Sequence, residues 1–343
     1  MTSIGQIRGM LLEEALLYLL RLSGYRTVEK ADGDSTLNEG HSGLEVFGRG
    51  SKHQIDAIAD FVIAQPFSNP QRLLLEAKFR SETTGIDVIR NAVGVLKDVS
   101  EYWVSKDKIP PKARYHYQYA VFSASDYTSP AQKYAYAHDI YLIPLSRSTF
   151  FQPVLQAIAS VTIDDFPENI NRYFLKMLRI SIRQNLQNID RKFTVTALYL
   201  QEKIVSKIDD FCYQCHRLNG ALLAMLNKQF PIFLVPNLQV VDIRQLDNFY
   251  KVRIYWNREG WYIRQSNSDA DMFSFDLPKE LFNLYAQHGF LSKINALDLK
   301  SQYMSEIQAI LTLDGYTRII TFKLDTNWLN NLRKTLNNIE EEE

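Results

Sequence analysis

The chain has 343 residues, 46% of them hydrophobic and 23% charged, enough for two ordinary domains with a substantial core. Basic and acidic side chains number 39 each, and the balance holds on both sides of residue 150. Bulk charge therefore excludes a generally basic nucleic-acid coat, and a polynucleotide partner would need a local patch or metal ions.

Two cysteines make no disulfide framework and fit a reducing compartment. The opening "MTSIGQIRGMLLEEALLYLL" is not laid out as a signal peptide, because two glutamates interrupt its apolar run. No apolar stretch is long enough to span a bilayer. The expectation is a soluble cytoplasmic protein with no membrane partner.

In chain order, "GMLLEEALLYLLRLSGY" predicts a helix, with Leu12, Leu16, Leu19 and Leu20 at helical spacing and Gly24 as its stop. "EKADGDSTLNEGHSGLEVFGRGSKH" reads as loop, with room for one short strand over residues 44–47. "QIDAIADFVIAQ" predicts a strand, "PFSNPQ" a turn and "LLLEAKF" a second, apolar strand. "GIDVIRNAVGVLKDVSEYW" is an amphipathic helix presenting Ile86, Ile89, Val93 and Leu96. The strand "YQYAVFSAS", the short helix "SPAQKYAYAHD" and the strand "IYLIPL" follow. This order predicts a mixed sheet with helices on its faces. Past residue 150 the pattern is helical to about 230, then rich in hairpins, around "NREG" and "DG". A domain boundary is expected near residue 150, with an α+β domain over 151–343.

The apolar strand carries one anomaly. Residues i and i+2 of a strand point the same way, so Glu76 and Lys78 share a face of "LLLEAKF". Asp56 is a lone carboxylate between Ile55 and Ala57 in the preceding strand. If the two strands form a hairpin, Asp56 lies across from Glu76. Two close carboxylates repel and favour protonation. A divalent cation relieves that conflict, and hard oxygen ligands suit Mg²⁺. Lys78 could then orient a water or stabilise developing negative charge. A slip of one residue in register would undo the arrangement.

"HQIDAIADF" followed by "LLLEAKF" resembles the PD-(D/E)XK nuclease superfamily, with Asp56 as first acid and Glu76-Ala77-Lys78 as the tripeptide. The opening helix is similar to that of Mrr-type restriction endonucleases, and "AVFSASDYTSPAQKYAYAHDIYLIPL" to their downstream strand, turn, helix and strand. Ile55 stands where the superfamily has proline, and Glu76 where Mrr-type domains have glutamine. The likeness spans about residues 5–148. It implies a restriction-endonuclease-like α/β core with a four-stranded mixed sheet. It also implies Mg²⁺- or Mn²⁺-dependent hydrolysis of phosphodiesters, usually in DNA though RNA has the same linkage, and often by homodimers or in a defence complex. By it Asp56 and Glu76 bind metal, Glu13 assists as the helix-borne carboxylate (Glu14 being the alternative), and Lys78 positions the nucleophile. A junction or repair nuclease and a catalytically silent binding or scaffolding domain are the rival readings.

Arg49, Lys52, Arg80 and Arg90 flank this site in sequence and would suit phosphate contacts. His53 reads as a structural hydrogen-bonding residue rather than a ligand. "CYQCH" at 212–216 matches a haem-attachment pattern, yet it lies in a helical stretch with apolar neighbours, and no further cysteines exist to complete a zinc site. Buried helix cysteines are the plain reading. The aromatic hairpin "VRIYWNREGWYIRQS" suits either base stacking or, more simply, an alternating core face.

Overall fold

The computed structural model describes residues 3–40, 43–64, 66–102, 114–167, 170–187, 202–227, 230–257, 260–284 and 293–342. These form two compact units: Met1–Arg21 with Tyr25–Asn219, and Gly220–Glu343 with the short segment Leu22–Gly24.

The first unit opens with α1 (Ile4–Leu22), which is buried almost all round, as a helix apolar on every side must be. Gly24 ends it with a positive φ of 80°, a conformation that suits glycine at a helix stop. Strand β1 (Tyr25–Val28) follows. The stretch read as loop instead folds into a small antiparallel sheet of β2 (Leu37–Glu39), β3 (Leu44–Phe47) and β4 (Lys52–Gln54). Only β3 was legible, because the flanking strands are three residues each, too short to show a period of two.

The main sheet has the order β1, β5 (Ala57–Phe61), β6 (Gln71–Lys78), β7 (His116–Ser123), β8 (Ile140–Pro144). Its first two pairings are antiparallel and its last two parallel. The sheet is mixed, as expected, with β1 added to the edge of the expected four strands. On one face Ile58, Leu74, Tyr119 and Val121 form a core with α2 (Ile86–Ser100) and α3 (Ser129–Ala137). The opposite face buries Ala57, Ala59, Leu73, Leu75, Ala120 and Phe122, so both faces are covered, as the parallel part of such a sheet requires.

Helices α4 (Gln152–Ser160), α5 (Arg172–Leu186) and α6 (Glu202–His216) belong to this unit rather than to a second domain starting near 151. The reason is polar as well as apolar. Arg8 of α1 donates to the carbonyls of Ala159 and Val161 at 2.7 and 2.8 Å, and Arg179 and Arg183 of α5 pair with glutamates of α1. Cys212 and Cys215 are free and buried on α6, as the plain reading of "CYQCH" has it.

The second unit is a closed barrel of seven strands: β9 (Leu222–Leu226), β10 (Phe230–Pro236), β11 (Phe249–Asn257), β12 (Gly260–Gln265), β13 (Asp271–Phe275), β14 (Glu306–Leu313) and β15 (Tyr316–Leu324). Alternate residues such as Val252, Ile254, Trp261, Ile263, Phe273, Ile307, Ile320 and Phe322 fill its interior. The aromatic hairpin β11–β12 thus turns its alternating face to a core. The tip of that hairpin at 258–259 lies outside the described residues. The β14–β15 turn places Asp314 and Gly315 at positive φ, the signature of a tight hairpin turn. Helices α7 (Lys279–Leu284), α8 (Lys293–Tyr303) and α9 (Thr326–Glu342) complete this unit. Among the described residues no helix is long and apolar enough to cross a membrane.

Candidate active site

The register of β5 on β6 decides whether the predicted residues meet. Ala57 pairs with Leu75 in an antiparallel ladder, which carries Asp56 to the level of Glu76. Asp56 itself sits in a bend between β4 and β5 rather than inside one long strand. The bend turns its side chain across β6, where Oδ2 accepts the Ala77 N–H at 2.9 Å. Oδ1 has no hydrogen-bond partner among the described residues.

Glu76 and Lys78 share a face as the alternation requires, with the Lys78 ammonium 2.5 Å from Glu76 Oε1. Tyr119 of β7 donates its hydroxyl to Glu76 Oε2 at 2.8 Å. The C-terminal end of β6 is pinned by buried hydroxyls: Thr84 and Ser123 are 2.9 Å apart, Ser125 donates to the Glu82 carbonyl, and Ala124 N–H donates to the Lys78 carbonyl at 2.9 Å. This clamp fixes the backbone from which Lys78 projects. Asp56, Glu76 and Lys78 are each half-buried.

Helix α1 adds Glu13. Its neighbour Glu14 turns inward, is fully buried and receives two hydrogen bonds from Arg183, at 2.7 and 2.9 Å. Glu13 lies near enough to Asp56 for their charges to act on each other, and Arg179 donates to it at 2.7 Å. Burial pushes the Glu13 carboxyl up to about 7; Arg179 opposes this, and the charges of Asp56 and Glu14 add to it. Burial also raises the Asp56 carboxyl, with the Glu76 charge adding, against the Ala77 N–H, Lys78 and Arg179. Tyr119 is raised by burial and by the adjacent Glu76. Asp56 therefore feels a carboxylate charge from Glu13 and another from Glu76, with Arg179 and Lys78 opposing them.

The other predicted residues are placed elsewhere. Arg49 pairs with Glu101 at 3.1 Å, Lys52 lies over the Phe47 ring, and Arg90 pairs with Asp87 on the same helix. Arg80 is exposed just beyond β6. Among the described residues none of the four bonds to Glu13, Asp56, Glu76 or Lys78. His53 lies 2.7 Å from Asp98, a structural hydrogen bond as read. Arg179 and Tyr119 were missed. Arg179 lay beyond the expected boundary at 150, although two arginines four apart on a helix are a natural complement to "EE". Tyr119 gave no signal apart from its strand.

The donor set bears on the expected metal. Mg²⁺ is commonly held by one or two carboxylates, with water and phosphate oxygens completing its shell. Asp56 with a free Oδ1, in register with Glu76, fits that pattern. Among the described residues no group of three His, Cys, Asp or Glu side chains is gathered to hold a metal ion. Glu13, engaged by Arg179, stands outside the pair.

No family model and no curated protein matches this chain. A solved structure titled "Crystal Structure of Protein of Unknown Function AF1548" is similar at 16% identity and a TM-score of 0.36, over 62% of this chain and 98% of that one. So distant a likeness carries no argument about fold or function.

Proposed function

We propose that the first unit is a metal-dependent phosphodiester hydrolase with a restriction-endonuclease-like core of the PD-(D/E)XK type, acting on DNA. One observation carries the reading: β5–β6 pairing brings Asp56 level with Glu76, which Lys78 pairs with, near the carboxylate of Glu13. Asp56 and Glu76 would hold Mg²⁺ or Mn²⁺. Such an ion would supply a water of lowered pKa and shield the charge that develops on phosphate and leaving oxygen.

The chain's own residues do the rest. Lys78, projecting from a clamped backbone, directs a compact positive charge at the attacking oxygen. Tyr119 keeps Glu76 in one rotamer. Glu13, held by Arg179 beside Asp56, can hold a water or take up a proton as the attack proceeds.

The test is cleavage of supercoiled plasmid and of single-stranded DNA and RNA with Mg²⁺, Mn²⁺ or EDTA. Metal-dependent cutting should fall by at least about 10²-fold in Lys78→Ala and in Asp56→Ala. Cutting that persists in EDTA, or in both variants, would contradict the reading. A second reading, a silent polynucleotide-binding domain, is favoured by the ion pairs Arg179–Glu13 and Lys78–Glu76, which neutralise the acids internally. It predicts binding with no hydrolysis in any metal.

A further inference from the structure

One cation of the second unit stands where the packing alone would call for an apolar side chain. Helix α8 buries Ala296, Leu297 and Lys300, which lie three and four residues apart and so share one face of the helix. Ala296 and Leu297 join the core of the barrel unit. Lys300 brings an amine to the same face and is 8% exposed. Its ammonium lies 5.8 Å from the ring of Trp261, an interior residue of β12, and 5.9 Å from that of Trp328 on α9.

The charge of this group is not balanced. Asp298, the acid of α8, is paired with Arg333 of α9. Among the described residues Lys300 has no ion pair and no side-chain hydrogen bond. About 6 Å is the outer reach of a cation–π contact, so the two indoles offset little of the cost of burial. That burial holds the amine down at about 8. Near pH 8 about half of it is then free base, against under about 1% for an ordinary lysine of pKa about 10.4. A desolvated lysine in apolar surroundings is an activated nucleophile, and carbonyl carbons are what such amines attack.

We propose that Lys300 is a site of covalent modification by carbonyl compounds, forming an imine with an aryl aldehyde whose flat ring lies against Trp261 and Trp328. The ammonium first releases a proton to solvent. The amine lone pair then attacks the carbonyl carbon, and water leaves as the C=N bond forms. No oxidant or reductant is consumed. The neutral imine removes the unpaired charge from the core, and the indole faces supply apolar walls for an aromatic ring. This inference is independent of the hydrolase reading, because no residue of the first unit takes part in it.

The experiment treats the full chain with benzaldehyde and cyanoborohydride at pH 8 and locates the labelled lysines by peptide mass mapping. The reductant fixes each imine as a stable N-benzyl amine. Lys300 should be labelled at least about tenfold faster than Lys323, an exposed lysine of the same unit. Butanal, which has no ring, should label Lys300 more slowly than benzaldehyde does, relative to Lys323. Trp328→Leu should narrow that difference between the aldehydes, and Lys300→Met should remove the fast-labelled site while the fold melts no lower than the wild type. In urea the preference for Lys300 should vanish. Labelling of Lys300 no faster than that of Lys323 in the folded protein overturns the proposal, as does a preference that persists in urea. Equal rates for the two aldehydes at Lys300 would overturn the assignment of an aryl ligand.

Discussion

Glu14 and Arg183 make a demanding contact in the first unit, a fully buried carboxylate that accepts two hydrogen bonds from one guanidinium. Among the described residues, Arg183→Ala leaves that charge buried with the longer contact to Arg179 at 3.4 Å as its remaining ion pair. The destabilisation should be about 3 kcal/mol, read by urea unfolding. Arg183→Met combined with Glu14→Gln should recover much of it, because neither charge is then stranded. An unchanged midpoint in Arg183→Ala would show that the pair is not held as described. Glu13, one residue away, has a different role because successive residues of a helix point about 100° apart. Sequence alone left the two acids as alternatives. What separated them was the position of α5, some 170 residues along the chain, which no local pattern reveals. Glu76 and Lys78 were legible because an ion pair in an apolar strand is anomalous; Tyr119, an ordinary strand tyrosine, was not.

At the scale of elements, α1, α2, α3 and the strands β6, β7 and β8 could be read from period and punctuation. The small sheet β2–β3–β4 could not, since its turns and three-residue strands look like loop composition. The break between β4 and β5 was also hidden: "QIDAIADF" looks continuous, yet the bend at Asp56 is what aims its carboxylate at Ala77 N–H. Helix α6 supports a prediction of its own. Burial pushes the Cys212 and Cys215 thiols far above their ordinary range. Both should resist a thiol reagent in the native state at pH 8 and react only on unfolding. Rapid modification of either in the folded protein would contradict the packing of α6.

Across the whole molecule, the length and composition announced two units but misplaced their boundary, because helical residues after 150 suggested a new domain. Helical character says nothing of which core a helix joins; the glutamates of α1 and the arginines of α5 decide that. The barrel was legible only as its hairpins, because closure depends on pairings such as the parallel β11–β15 contact between distant segments. On α8 of the same unit Lys300 is 8% exposed, its ammonium 5.8 and 5.9 Å from the rings of Trp261 and Trp328, with no ion pair or side-chain hydrogen bond among the described residues. Burial pushes its pKa down from 10.5 to about 8. Between about 8 and 10.5 the unfolded chain holds the proton that the folded one has released, so this group makes stability rise with pH across that window. Its full cost below pH 8 is roughly 3 kcal/mol. Lys300→Met should therefore stabilise the protein at pH 7 and flatten the rise between pH 8 and 10, read by denaturant unfolding at several pH values. An equally steep rise in the variant would refute this.

The proposed hydrolase requires Asp56 and Glu76 to act together on a divalent cation while Lys78 acts on the nucleophile. Calorimetric titration with Mn²⁺ in the absence of nucleic acid tests that division of labour most directly. Binding should be present in the wild type, abolished in Asp56→Ala and in Glu76→Gln, and retained in Lys78→Ala, which should nonetheless cut no DNA. Mn²⁺ binding that survives both carboxylate substitutions, or is absent from the wild type, would contradict the proposed metal site.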